Sequence, residues 1–325
     1  MSTPRTLRPG PVVCVGETMA ALAPDPLGPL DEADLLRVDV AGAESNVALY
    51  LADHGIAARW VSAVGDDPFG RRVRARIAAG GVDVSGVRTD PVRPTGLLLK
   101  DPGAGGTRVH YHRAGSAASA LTPDVLDDPA LTGAALVHLS GITPALSPGC
   151  HALVERALRP DRPWPVSFDV NHRPALWTGR RAADVLRALA DRADIVLVGL
   201  DEAQALWGEG ITGARSVREL LPGPGVLVVK DGSRAATAFT GTGAVSVPAL
   251  RVRVVEPVGA GDAFAAGFLS GLLRGLSAQS ALRLGHLTAA SALRVAADHG
   301  PLPDSPVLAS LLEADDDAWR AAMIG

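Results

Sequence analysis

Short apolar runs bounded by Gly, Pro or Asp alternate along the chain with segments whose apolar positions recur at helical spacing. VVCVG (12–16), ARWVSAVG (58–65), ALVHLS (135–140), PVSFDV (165–170), DIVLVG (194–199) and GVLVVKDG (225–232) show little polar alternation, which predicts strands buried on both faces. AESNVALYLADHG (43–55), PFGRRVRARIAAGG (68–81), the stretch around 148–159, GRRAADVLRALADRA (179–193) and DEAQALWG (201–208) predict the helices between them. Repeated strand-then-helix units predict an α/β fold of three layers, αβα, around a mainly parallel sheet. In such a sheet, ligands bind outside the carboxyl ends of the strands.

Two segments break the alternation. TMAALAP with LLRVDVAG (18–24 and 35–42) and TGLLLKDPGAGGTRVHYHR (95–113) have strand character without intervening helices, and DPGAGG supplies a hairpin turn. They predict a small antiparallel β flap, a lid inserted at about 18–42 and 93–118, over the ligand-binding edge of one domain spanning 1–325. The last third predicts a β-hairpin over 235–255, helices at roughly 261–275 and 277–297, and a solvated acidic helix in the tail LLEADDDAWRAAMIG.

Composition narrows the function classes. A 47% hydrophobic, 4% aromatic chain has a core of Ala, Val and Leu, and its net charge of −4 gives no basis for nucleic-acid or membrane-surface binding. Cys14 and Cys150 fit neither a disulfide framework nor a metal spacing, so a reducing cytoplasm is the expected location. No apolar run reaches membrane-span length. Lysine occurs only at 100 and 230, which makes each one worth following.

The segment EPVGAGDAFAAGF (256–268) places Gly259, Ala260 and Gly261 directly before Asp262 at a helix start. Amides at a helix N-terminus lack intrahelical partners and carry the positive end of the dipole, so they suit an anion. A carboxylate there would repel a phosphate unless a substrate hydroxyl sat between them, with the Asp as proton acceptor. Read alone, the turn is better taken as a plain helix cap. No GxxxxGK[ST] occurs and no GxGxxG opens the first β-α turn, which argues against a P-loop enzyme or a dinucleotide-binding dehydrogenase.

EPVGAGDAFAAGF resembles the C-terminal signature of the ribokinase-like (PfkB) sugar kinases, D-T/P-x-G-A-G-D-x-F. AGAESNVA (41–48) is similar to that family's Gly-rich entry to an early Asn-bearing helix, and the order of motifs matches over nearly the whole chain. YHRAGSAAS (111–119) and SFDVNHRPALW (167–177) resemble segments of the 2-keto-3-deoxygluconate kinases within it. The resemblance implies ATP-dependent phosphorylation of a sugar acid at a primary hydroxyl, 2-dehydro-3-deoxy-D-gluconate to its 6-phosphate, with Mg2+. It also implies a homo-oligomer formed through the lid.

Carried onto this sequence, the resemblance implies Asp262 as base and the amides of Gly259, Ala260 and Gly261 as the anion hole. It implies Gly42, Asn46, Tyr111, Arg113, Arg173 and Asp298 on the sugar side, and Asn171, Lys230, Gly232 and Thr288 beside ATP. Chemistry supports the arginines: a guanidinium binds a carboxylate through paired donors, for which a neutral sugar has no use. Three departures stand out. The family's N-x-x-E motif reads GLDE, so Gly199 replaces Asn while Glu202 remains to hold Mg2+ through water; Glu256 replaces Asp; Ala41 replaces Gly. No monovalent-cation site follows from the sequence. A kinase of a neutral sugar such as fructose or ribose, and a non-catalytic sugar or nucleotide sensor on the same fold, are the rival readings.

Overall fold

The computed structural model describes residues 7–103, 106–177 and 181–324. Thirteen strands carry the architecture: β1 (Val12–Val15), β2 (Met19–Pro24), β3 (Leu36–Ala41), β4 (Ala58–Gly65), β5 (Val87–Asp90), β6 (Leu97–Gly103), β7 (Gly106–His112), β8 (Leu136–Ser140), β9 (Val166–Asp169), β10 (Ile195–Gly199), β11 (Val226–Asp231), β12 (Ala235–Thr240) and β13 (Gly243–Pro248). Nine form one sheet in the order β13-β12-β11-β10-β9-β8-β1-β4-β5. It is parallel from β11 to β5, and β12 and β13 add an antiparallel edge.

The apolar strands are buried on both faces because successive side chains point to opposite sides. Val12 and Cys14 join one core cluster while Val13 and Val15 join the other, and Ile195 and Leu197 are likewise divided from Val196 and Val198. Against the first cluster pack α1 (Ala43–Asp53), α2 (Pro68–Ala79), α8 (Ala260–Leu273) and α9 (Ala278–Leu293). Against the second pack α4 (Pro148–Ala157), α5 (Ala182–Ala190), α6 (Leu200–Trp207) and α7 (Ala214–Leu220), with a single turn, α3 (Thr143–Leu146), before α4.

The lid is a four-stranded sheet in the order β3-β2-β6-β7. β2–β3 and β6–β7 are antiparallel hairpin partners, and the two hairpins join through a parallel β2–β6 pairing. At the tip of the second hairpin, residues 104 and 105 of the expected turn lie outside the described residues, as do 179 and 180 at the start of the expected fifth helix.

The sequence pattern misses β5 and α7, which are short and in part polar. The tail corrects a further expectation. It forms two helices, α10 (Ser305–Glu313) and α11 (Asp316–Ala321), and the second is anchored rather than solvated. Trp319 is 1% exposed, donates from Nε1 to the Pro248 carbonyl at 2.9 Å and lies under the Arg283 guanidinium, 5.0 Å from its ring centre. Met323–Ile324 then pairs with Arg251–Val252. An indole offers more buried apolar area than the surrounding acids cost in lost hydration, so the Trp decides the docking. Among the described residues no helix is long and apolar enough to cross a membrane, and Cys14 and Cys150 are buried, free thiols.

Candidate active site

The sheet order reverses between β1, whose chain continues to β4 on one side, and β8 on the other. A crevice opens at such a point beyond the carboxyl ends of the strands. Here it is a cleft of about 320 Å3 roofed by Met19, Leu98, Lys100, Val109 and Tyr111 of the lid and floored by residues following β1, β8, β9, β10 and β11. Gly42 caps α1 where the chain leaves the lid. A Cβ on it would lie 2.4 Å from the Glu17 carbonyl, so only glycine lets the first turn of α1 sit this close.

Asp262 stands in the first turn of α8, behind Gly259, which takes a left-handed conformation (φ +86°) with the Asp298 carbonyl 2.7 Å from where a Cβ would be. It does not serve as a helix cap. Its Oδ2 accepts from Asn46 Nδ2 at 2.9 Å and its Oδ1 from Asn171 Nδ2 at 3.2 Å. Burial pushes its pKa up from 3.8 to about 7; the Asn46 hydrogen bond and Arg173 oppose the rise, and the charges of Asp169 and Asp298 add to it. A carboxyl poised there accepts a proton readily near neutral pH. Of the three glycine-turn amides, that of Ala260 donates to the Pro257 carbonyl at 3.3 Å, while those of Gly259 and Gly261 have no such partner among the described residues.

The cationic residues are arranged differently from one another. Arg113 is buried and donates from Nε to Glu17 Oε2 at 2.7 Å, with Nη2 in close contact with the same oxygen and Ser116 Oγ donating to Glu17 Oε1. Its charge is therefore compensated inside the fold, and its guanidinium lies 5.7 Å from the Tyr111 ring centre. Arg173 is 44% exposed in its side chain, donates to the His172 carbonyl at 3.2 Å and lies 3.9 Å from Glu202. Lys100 reaches down from β6 to Asp298 Oδ1 at 2.7 Å and to the Ala296 carbonyl at 3.3 Å.

On the opposite side, Lys230 at the end of β11 pairs with Asp169 Oδ2 at 2.9 Å. Burial would lower the Lys230 ammonium, but Asp169 and Glu202 outweigh it and hold the group above the ordinary lysine value. Glu202 accepts from the Gly199 amide at 2.9 Å, closing the start of α6 on itself. Burial raises its carboxyl, against the pull of Lys230. Among the described residues no three Asp, Glu, His or Cys side chains gather into a metal cage.

Two expected nucleotide residues lie away from the cleft wall. Gly232 sits in the exposed β11–β12 turn at φ +52°. Thr288 is 0% exposed inside the α8–α9 contact, where its hydroxyl donates to the Leu284 carbonyl at 2.7 Å and meets His54 Nε2 at 2.8 Å. Gly267 makes room for it, since a Cβ there would fall 2.4 Å from the Thr288 hydroxyl oxygen. The threonine therefore seals a helix contact and does not reach the cleft.

Four buried polar residues were given no role in the sequence reading: Glu17, Glu44, Asp169 and Lys100. Each had a signal. Glu17 and Asp169 are acids at the ends of apolar strands, where a buried carboxylate needs a partner; Lys100 is one of two lysines. Glu44 stands in the first turn of α1 and accepts from Ser140 Oγ at 2.7 Å and Thr143 Oγ1 at 2.9 Å. Glu256 accepts from Thr107 Oγ1 of the lid at 2.7 Å and from the Val258 amide at 3.2 Å, which gives the longer side chain two partners.

Known proteins resemble this chain in sequence and fold. The chain is 37% identical to the 2-dehydro-3-deoxygluconokinase of Bacillus subtilis over 308 residues, 93% of this chain and 95% of that protein. The crystal structure of a 2-dehydro-3-deoxygluconokinase from Thermotoga maritima superposes with a TM-score of 0.81 at 25% identity, covering 90% of this chain and 95% of the other. A fructokinase from Xylella fastidiosa with bound ATP has the same fold, with a TM-score of 0.78 at 24% identity over 93% and 98% of the two chains. The family model of the pfkB carbohydrate kinases matches residues 11–304, and the chain belongs to that family.

Proposed function

We propose that this protein transfers the γ-phosphoryl group of ATP to the primary hydroxyl of a sugar acid, 2-dehydro-3-deoxy-D-gluconate, giving the 6-phosphate and ADP. The observation that carries this reading is Asp262: a buried carboxyl at about 7, held by two amides at a helix N-terminus, in a cleft walled by arginines. Asp262 takes the hydroxyl proton as the oxygen attacks the γ-phosphorus, and the free amides of Gly259 and Gly261 stabilise the charge on the transferring group. Mg2+ supplies charge neutralisation of the phosphates, with Glu202 reaching it through water.

Arg173, half exposed and paired only loosely with Glu202 at 3.9 Å, meets the substrate carboxylate, and Arg113 adds the donors that Glu17 leaves free. Gly42, Asn46, Tyr111 and Asp298 fit the remaining sugar groups, while Lys230 and Asn171 face the nucleotide phosphates, with Gly232 in the turn behind them. The lid excludes water that would otherwise hydrolyse ATP. We assign the protein to the cytoplasm and its lid to pairing with a second copy.

A coupled kinase assay across 2-keto-3-deoxy sugar acids and neutral hexoses and pentoses tests the reading. Turnover is expected on the keto acids. Turnover confined to a neutral sugar refutes the substrate, and absence of turnover on every sugar favours a sensor. Arg173→Ala should lower kcat/KM far more for an acid than for a neutral sugar; an equal fall removes the carboxylate contact.

A further inference from the structure

Asp169 is 2% exposed at the end of β9, does not line the cleft, and touches both halves of it. Its Oδ2 accepts from Lys230 Nζ at 2.9 Å and its Oδ1 from the backbone amide of Asn171 at 3.2 Å. Asn171 is the one non-glycine residue at positive φ (+36°) among the described residues, and its side-chain Nδ2 donates to Asp262 Oδ1 at 3.2 Å. The Oδ1 of Asn171 is buried without a partner. A strained backbone with an orphaned carbonyl persists only where the surroundings hold it in place. Here its backbone is held by Asp169 and its side chain by Asp262.

We propose that Asp169 is a positioning residue that ties Lys230 on the nucleotide side to Asp262 on the sugar side through the strained Asn171. The inference rests on the reading of Asp262 as the base. Asp169 neutralises the Lys230 ammonium when no phosphate is present, and it pins the Asn171 backbone so that the side-chain amide meets Asp262. The strain in Asn171 is maintained for alignment, since a relaxed turn would swing the amide away. One carboxylate thus keeps the attacking oxygen's base and the phosphate's lysine in register.

Asp262 is faced by charged or titratable groups from every element around it: Asp169 of β9, Arg173 beyond it, Lys230 of β11, Asp298 after α9 and Tyr50 of α1. Beyond burial, Asp169 and Asp298 are the carboxylates that raise Asp262, so the charge of Asp169 and its hydrogen-bond chain act in opposite senses. This separates a positioning role from simple structural damage.

The test uses D169N, which keeps the shape but leaves one acceptor oxygen for the two donors, Lys230 Nζ and the Asn171 amide, and N171A. Each should lower kcat on the order of ten- to a hundredfold through misalignment, while calorimetric binding of the sugar acid in the absence of nucleotide changes less than about threefold. The acid limb of kcat/KM should move to lower pH in D169N, which removes a negative charge beside the base, and to higher pH in N171A, which removes a donor. The double variant should lose little more than either single one, because both break the same chain. An unmoved or upward limb in D169N, or losses that multiply in the double variant, would overturn the proposal. Should D169N not fold, N171A alone carries the test, and an acid limb that stays in place or moves to lower pH in it overturns the proposal. These comparisons are read with whichever sugar the wild-type protein phosphorylates, so inactivity on keto acids overturns the substrate assignment alone.

Discussion

Asp262→Asn should make the protein more stable while abolishing phosphoryl transfer. In the fold the Asp262 carboxyl is moved from 3.8 to about 7, chiefly by burial. At 1.36 kcal/mol for each pH unit, ionising it inside the fold costs about 4 kcal/mol. The substituted amide keeps one acceptor oxygen for two donors, so either Asn46 or Asn171 loses its partner, returning about 1 kcal/mol. The net gain is about 3 kcal/mol above pH 7. Unfolding entropy of about 2.1 cal/mol/K per residue converts this, over 325 residues, into a Tm increase of about 4 °C.

The pH window follows from the same shift. Between pH 3.8 and about 7 the folded carboxyl holds a proton that the unfolded one has lost, so wild-type stability falls as pH rises through this range. The variant lacks that slope. Ligand-free thermal melts of both proteins from pH 4.5 to 8.5 read the difference directly, since other groups titrate alike in each. The gap should be near zero at the acid end and reach its plateau above about pH 7. A gap that stays flat, or one that closes as pH rises, refutes the reasoning about burial. Full retention of phosphoryl transfer refutes Asp262 as the base.

Gly259→Ala places a side chain at φ +86° and 2.7 Å from the Asp298 carbonyl, so kcat should fall more than about tenfold and stability by about 1–2 kcal/mol, seen in kinetics and melts. Glu17→Gln leaves the Arg113 charge buried without its counter-ion; the loss expected is about 3–5 kcal/mol by denaturant titration, and a loss below about 1 kcal/mol would mean that water reaches the pair. Trp319→Ala should cost about 3–5 kcal/mol of stability and leave KM for both substrates unchanged at low temperature, because the indole anchors the tail and does not line the cleft.

Much of the fold was legible because burial on both faces is written as unbroken apolar runs. VVCV, LVHL and IVLV became the central strands, and the interruptions at 18–42 and 95–113 became the lid. The short strand VRTD and the helix ARSVREL escaped because each shows too few apolar residues to set a period. Acid content misdirected the reading of the tail, where one Trp outweighs three aspartates.

For the site, the sequence by itself determined which residues stand at strand ends and helix starts: Gly42, Asn46, Asn171, Arg173, Lys230 and the turn before Asp262. Those positions follow from local pattern, since a glycine turn or a helix entry is specified within a few residues. Only the tertiary structure decided their charge states and partners. Asn46 and Asp262 lie 216 residues apart, and Glu17 and Arg113 lie 96 apart. Desolvation and ion pairing depend on which chain segments meet in space, so no local pattern could show that Arg113 is already neutralised. Nor could it show that Thr288 is spent inside a helix contact, or that Asp169 stands behind both substrates' residues.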